Sequence, residues 1–288
     1  MKPYSLIKNL IKKNFAGSDE IILFQGKSNF RKITVVEKPI SHQRVMYASN
    51  RLFVAGIDTR NNFPLYSPYF LADIVNPKPR SLLFLGGGPN AVPSYVWRNY
   101  KPDYIDVVER DELNTKLAEK YFGLPKNKNY RIFHQDATLF LKDTKKKYDI
   151  IYSDIGLTRK RGLSTKDMYP FCTLRTFKKL HSLLNKNGLL IYIVIGKLKG
   201  QDLVFERRCL ASLNKFFPKV YTFSDFQEKG SKTQLILFLA PAKNLDINES
   251  YTRLKNNKKL RQDENIYENL LAKMHKLPII KPGLNLYT

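Results

Sequence analysis

Two patterns of apolar and polar positions divide the chain. As far as about residue 75, short apolar stretches, "EIILFQG", "RKITVVEK", "QRVMYAS" and "RLFVAGID", are separated by turn-forming residues. Such runs predict strands, and their close succession predicts a small antiparallel β unit. After the proline-containing "VNPKPR" the pattern changes. The apolar runs "SLLFLGG", "YIDVVE", "YRIFHQ", "YDIIYSD" and "GLLIYIVIG" alternate with stretches at 90–101, 111–122, 136–142 and 169–184 whose apolar residues recur at helical spacing. Alternation of this kind predicts a parallel sheet covered on both faces. A helix near 201–216 and two late strands, "KVYTFS" and "TQLILFLA", predict an antiparallel edge. From 241 the chain is polar and basic, with one helical piece near 263–275. The predicted organisation is a β unit over 1–77, a doubly wound, mostly parallel α/β domain over 78–240 and a basic appendage over 241–288.

Composition narrows the class. With 43% hydrophobic and 12% aromatic residues, the chain is a globular protein and not a disordered tail. No apolar run approaches the roughly 18 residues of a membrane span, so no membrane partner is expected. The start, "MKPYSLIKNLIKKNF", has scattered basic residues and no continuous apolar core, which argues against a secretory signal and for a cytoplasmic protein. Cys172 and Cys209 lack metal-ligand spacing and read as buried reduced thiols. The four His residues, 42, 134, 181 and 275, are scattered, and no metal site is expected. Ser153 and Cys172 lack a nucleophile-elbow context. The net charge is +25, but 35 of the 50 cations are Lys and the excess is spread along the whole chain. That reads as compositional bias as much as a binding face. A nucleic-acid partner stays open without being favoured, because no recognised motif accompanies the charge.

Chemistry gathers where the predicted parallel strands end. In a doubly wound sheet, ligands bind outside the carboxyl ends of the strands, near the point where strand order reverses. The first strand stops in Gly86-Gly87-Gly88, where missing side chains let a ligand lie against the backbone, and a helix start follows. Glu109 closes "YIDVVE", 23 residues after Gly86, where an acid can accept both hydrogen bonds of a ribose diol. Asp136 follows the third strand in "HQDA", where a carboxylate can accept from an exocyclic amine, and Asp154 ends the fourth. Singly, Glu109 and Asp136 read equally as helix caps and Asp154 as a turn former. Their order at four successive strand ends favours a nucleoside site.

Those residues carry a resemblance. The chain resembles the spermidine synthase (polyamine aminopropyltransferase) family, within the class of S-adenosylmethionine-dependent, methyltransferase-like folds. The resemblance spans roughly residues 20–240, with the small β unit included. It is strongest in "LLFLGGGPNAVPSYVWRNYKPDYIDVVERDE", "AEKYFGLP", "RIFHQDATLFLKDTKKKYDIIYSD" and "NGLLIYIVIGKLKG", and it is nearest to divergent, spermidine-synthase-like members. It implies that Gly86, Gly87 and Gly88 wrap the donor's nucleoside and amino-acid end, that Glu109 holds the ribose, and that Asp136 with Ala137 contacts adenine. It also implies that Asp154 helps deprotonate and position the attacking amine. The implied co-substrate is S-adenosylmethionine or its decarboxylated form, without a metal. The implied partner is a small-molecule acceptor, and a homodimer stays open.

The departures bear on the acceptor. Pro89 stands where the family has the Asp that holds the donor's amino group, and Leu157 and Thr158 stand where it has a second acid and a proline. Phe30 and Arg31 replace a Tyr-Gln pair, and "FPLYSPY" replaces an Asp-Glu pair. With Arg159, Lys160, Arg161 and Lys166 just beyond Asp154, the expected acceptor is not a short diamine, and an anionic one fits better. Methyl transfer and a non-catalytic nucleoside- or nucleic-acid-binding protein are the alternatives.

Overall fold

The structure, a computed structural model, describes residues 19–65, 69, 72, 76–155, 171–196, 209–225 and 234–245. They divide between two compact units.

The first unit is built on the alternating N-terminal segments. β1 (Ile21–Lys27), β2 (Lys32–Lys38), β3 (Gln43–Ala48) and β4 (Leu52–Asp58) pair in chain order, each antiparallel to the last. Period-two alternation gives this sheet one apolar face. Ile33, Val35, Met46 and Ile57 are buried there with Ala91 of α1 (Ala91–Tyr100) and Leu117 of α2 (Glu112–Tyr121). Gly87–Arg98 and Asp111–Lys126 therefore belong to this unit, although they follow the glycine loop in sequence. Arg44 secures the end of α2: its Nε donates to Glu37 at 2.8 Å and its Nη1 to the Tyr121 carbonyl at 2.6 Å. The Tyr121 hydroxyl in turn donates to the Leu23 carbonyl at 2.9 Å.

The second unit carries a seven-stranded sheet of order β10-β11-β9-β8-β5-β6-β7. β5 (Ser81–Leu85), β6 (Tyr104–Val108), β7 (Tyr130–Phe133), β8 (Tyr148–Ser153) and β9 (Leu184–Gly196) run parallel. β11 (Gln234–Pro241) lies antiparallel to both β9 and β10 (Tyr221–Asp225), as the late strands predict. β5 is buried along its whole length, which is why it reads as a continuous apolar run rather than an alternating one. Each of its leucines contributes roughly 1.5–3 kcal/mol by burial. Phe140 and Leu141 of α3 (Ala137–Asp143) and Phe177 and Leu180 of α4 (Leu174–Ser182) join the core around Leu83, Leu85, Ile151 and Leu190. Tyr69 packs with Phe84, Tyr100 and Tyr152, its ring centre 6.1, 5.3 and 6.4 Å from theirs.

β9 begins at Leu184, four residues before the predicted strand. The polar "NKNG" reads as a turn, but Leu184 pairs with Tyr148 and a register shift before Ile150↔Leu189 absorbs the extra residues. Of the helix expected near 201–216, residues 209–213 are helical, and Cys209, Leu210 and Leu213 sit in the core. Residues 201–208, the piece near 263–275 and the appendage from 246 lie outside the described residues. No helix among the described residues is long and apolar enough to cross a membrane.

Candidate functional site

The strand order reverses between β5 and β8, and three backbone bonds carry the ladder past the strand ends there. The Asp154 amide donates to Leu85 at 2.9 Å, the Gly86 amide to Val108 at 2.9 Å, and the Glu109 amide to Phe133 at 3.1 Å. Asp154, Gly86 and Glu109 are thus set side by side on adjacent strands. At the ordinary strand spacing, the backbones at Asp154 and Glu109 stand roughly 10 Å apart.

Gly86 has a physical reason to be glycine. Its φ is +87°, and a Cβ there would lie 2.4 Å from the Asp154 carbonyl oxygen. That neighbour is backbone and cannot swing aside, so the first glycine lets β5 close against the end of β8. The next two glycines belong to the other unit. Gly88 also takes a left-handed φ, +51°, but a Cβ would meet only Val54, at 3.5 Å, so its requirement is conformational. Asn90 follows with φ +56°, fully buried, and its amide donates to the Gly87 carbonyl at 2.8 Å. The short polar side chain of Asn tolerates that conformation.

The helix starts separate the acids by role. Asp136 is the N-cap of α3: its Oδ1 accepts from the Thr138 amide at 2.7 Å, and the side chain is exposed beside half-buried Ala137. The cap of α2 is Asp111, which accepts from the Leu113 amide at 3.2 Å. Glu109 is therefore not the cap. It is 8% exposed at the end of β6.

Asp154 differs from both. Its side chain reaches water at the end of β8, yet the protein around it is dense enough that desolvation pushes its carboxyl up to about 6. Among the described residues no cation offsets that burial. An acid poised near neutrality, facing the strand ends, can take up a proton and release it. The segment with Leu157, Thr158, Arg159, Lys160, Arg161 and Lys166 lies outside the described residues. Phe30 and Arg31 are described, in the β1–β2 turn of the other unit, where both amides donate to Ser28 Oγ.

One cluster escaped the reading of the chain. Asp106, in the middle of β6 and wholly buried, accepts from Arg131 Nε at 2.6 Å and from the Tyr148 hydroxyl at 2.9 Å, with Lys146 Nζ at 3.4 Å. Burial, reinforced by Asp106, raises the Tyr148 hydroxyl well above its ordinary value, so it remains a donor. The chain carries half of the signal, an acid inside an otherwise apolar run, "YIDVV", without the distant partners that meet it.

This topology is that of a doubly wound, mostly parallel α/β sheet, with a glycine turn and acids at successive strand ends. The model of the spermine/spermidine synthase domain matches residues 70–223, just over half of the chain. The chain belongs to the spermine/spermidine synthase family. A polyamine aminopropyltransferase of Streptococcus uberis is 29% identical over 181 residues, 59% of this chain and 58% of that relative. One from Streptococcus pneumoniae is 27% identical over 206 residues, 68% of this chain and 67% of the relative. The chain thus spans little more than half the length of the first of these relatives. Among solved structures, a probable spermidine synthase of Corynebacterium glutamicum aligns with a TM-score of 0.63 at 16% identity, covering 78% of this chain and 82% of that one. The spermidine synthase of Thermotoga maritima aligns at 0.59 and 14%, covering 87% of each. Both alignments bear on the fold.

Proposed function

We propose that the chain is an alkyl transferase that moves an aminopropyl group from decarboxylated S-adenosylmethionine to an amine. The amine nitrogen attacks the carbon beside the sulfonium, a C–N bond forms, and the C–S bond breaks with its electron pair going to sulfur. The adenosyl thioether leaves neutral, and the proton lost by the amine passes to Asp154. Positioning supplies most of the rate, and the base supplies about 100-fold or more. In this reading Glu109 holds the ribose diol, Asp136 and Ala137 border adenine, and the backbone at Gly86 lies along the nucleoside. The observation that supports it most is Asp154: a carboxyl lifted to about 6, beside the backbone of Gly86 at the point where strand order reverses, in a segment that the family model matches.

We further propose that the acceptor is not a short diamine. A dication needs carboxylates around it, whereas the chain after Asp154 runs Leu157, Thr158, Arg159, Lys160, Arg161. The test pairs both donors, S-adenosylmethionine and its decarboxylated form, with short diamines and with amines that also carry a carboxylate or phosphate, reading release of the adenosyl thioether. Turnover is expected with the decarboxylated donor and an anionic amine. Turnover only with S-adenosylmethionine makes the protein a methyltransferase. Efficient use of a diamine, with KM below about a millimolar, restores the plain polyamine reading.

A further inference from the structure

At the opposite end of the seven-stranded sheet, where the parallel strands begin, a cavity of about 380 Å³ is lined by Asp103, Tyr104, Asn129, Arg131 and Lys146. Its charges do not balance. Asp103 is matched by Arg80, whose Nε donates to it at 2.8 Å. Asp106, behind the wall and wholly buried, carries one negative charge, and it faces two cations, Arg131 and Lys146. Asp149, at the start of β8, is occupied by the Arg80 and Ser81 amides at 2.8 and 3.1 Å and by the Asn185 amide group at 2.7 Å. The two cations also share one ring: the Arg131 guanidinium lies 5.2 Å and Lys146 Nζ 5.7 Å from the centre of Tyr104. They are therefore fixed close together with one carboxylate between them, and one positive charge is left over at the cavity wall.

From this juxtaposition we infer a second ligand site, a pocket for a phosphate group at the amino end of the sheet, with Arg131 and Lys146 as its cations and Asn129 as a neutral donor. A structural ion pair needs one cation for one buried carboxylate, and the Tyr148 hydroxyl already donates to Asp106. The second cation is in excess, and an anion at the wall removes the repulsion it causes. Arg131 spends Nε and Nη2 on Asp106. Its Nη1 has no protein partner among the described residues, and a half-occupied guanidinium fork suits a tetrahedral oxyanion bridged to a neighbouring ammonium. The cavity is larger than a bare phosphate needs, so the shared chemistry is a phosphate group, either free as a polyphosphate or borne by a nucleotide. The connections leading into these strands add exposed Lys101, Lys128 and Lys145, which draw an anion toward the same end.

The inference is independent of the transferase reading, because its readout is anion uptake and not turnover. The full chain is titrated calorimetrically, at low ionic strength and with an excess of adenosyl thioether to fill the proposed nucleoside site, with orthophosphate, pyrophosphate and adenosine monophosphate. Saturable one-to-one uptake of at least one of them, with a Kd of about 1 mM or tighter, is expected. The tighter arm tells a free polyphosphate from a nucleotide. Lys146→Gln leaves Asp106 paired with Arg131 and Tyr148 and should weaken uptake about tenfold. Asn129→Asp puts a negative charge at an exposed position of the wall and should abolish it, so the site stays testable if the first variant folds poorly. Lys120→Gln, on α2, should bind as the parent does. Absence of saturable uptake by the parent overturns the inference. So does uptake unchanged in Asn129→Asp, or binding confined to long nucleic acids.

Discussion

The seven-stranded sheet treats two carboxylates, Asp106 within β6 and Asp154 after β8, in opposite ways. At the amino end Asp106 is wholly buried and meets a guanidinium, an ammonium and a tyrosine hydroxyl. At the carboxyl end Asp154 meets no cation among the described residues, and desolvation raises its carboxyl to about 6. A fully partnered carboxylate locks strands together, whereas one raised by burial and left without a counter-charge is held ready for a proton. In the proposed function the same sheet thus separates a structural acid, Asp106, from a chemical one, Asp154. The difference lies in what the neighbouring strand supplies: β7 sets Arg131 opposite Asp106 within the ladder, while β8 ends against Gly86, which has no side chain to offer.

The comparison breaks most visibly at Asp106. Asp106→Ala leaves Arg131 and Lys146 without their acid and the buried Tyr148 hydroxyl without an acceptor. Both cations are partly exposed, with side chains 38% and 44% accessible, so the cost falls at the low end for a broken buried pair, about 3 kcal/mol. Urea unfolding measures it. A midpoint unchanged from the parent's means that the cluster contributes nothing to stability.

Asp154→Asn should do the reverse. Turnover should fall about 100-fold or more while binding of an adenosyl thioether holds within a factor of about two. The pH dependence follows from a folded carboxyl near 6 against an ordinary value of 3.8. The native state holds the proton more tightly than the unfolded chain, so this group's stabilisation is present below about 3.8 and is lost as pH rises through about 6. Above that pH the ionised Asp154 is a small liability, and the Asn variant should melt no lower than the parent. Activity has the opposite sense, falling as pH drops through about 6. A flat rate profile between pH 5 and 7 removes Asp154 from the role of base.

Much of this was legible in the chain. The eleven strands among the described residues follow from short apolar runs bounded by turn residues, and the parallel order from their alternation with helices. Gly86, Glu109, Asp136 and Asp154 stood out because acids and glycines at strand ends interrupt apolar patterns. Asp106 did not, because a single polar residue inside a strand says nothing of which distant residues meet it, and Arg131, Lys146 and Tyr148 lie 25, 40 and 42 residues further on. The partition into units was also hidden. α1 and α2 have ordinary amphipathic spacing, and nothing in it tells that their apolar faces pack with Ile33 and Met46 of the N-terminal sheet.

Glu109 sharpens the contrast at the carboxyl end. If it accepts the ribose hydroxyls, Glu109→Ala should weaken binding of an adenosyl thioether about tenfold, roughly 1.4 kcal/mol. Because Asp111 and not Glu109 caps α2, little of that loss should appear in the melting temperature. A tenfold loss accompanied by an equal loss of stability assigns Glu109 to the framework instead.

Asp136 is the finest test, because one side chain is offered two roles. Its Oδ1 caps α3, and the same carboxylate is proposed to border adenine. Asp136→Ala should cost about 1 kcal/mol of stability, the ordinary worth of an N-cap, and should weaken adenosyl binding a few-fold. Asp136→Ser separates the roles, since a serine hydroxyl caps nearly as well but carries no charge and reaches less far. Stability should return in the Ser variant while affinity stays low, because the cap needs one acceptor oxygen and the adenine edge needs the carboxylate that extends beyond it. If Ser restores both, Asp136 is a helix cap and nothing more, and recognition of the base falls to the backbone around Ala137. If Ser restores neither, the carboxylate stabilises the start of α3 by its charge as well as by its hydrogen bond, and the loss should then shrink as salt is raised.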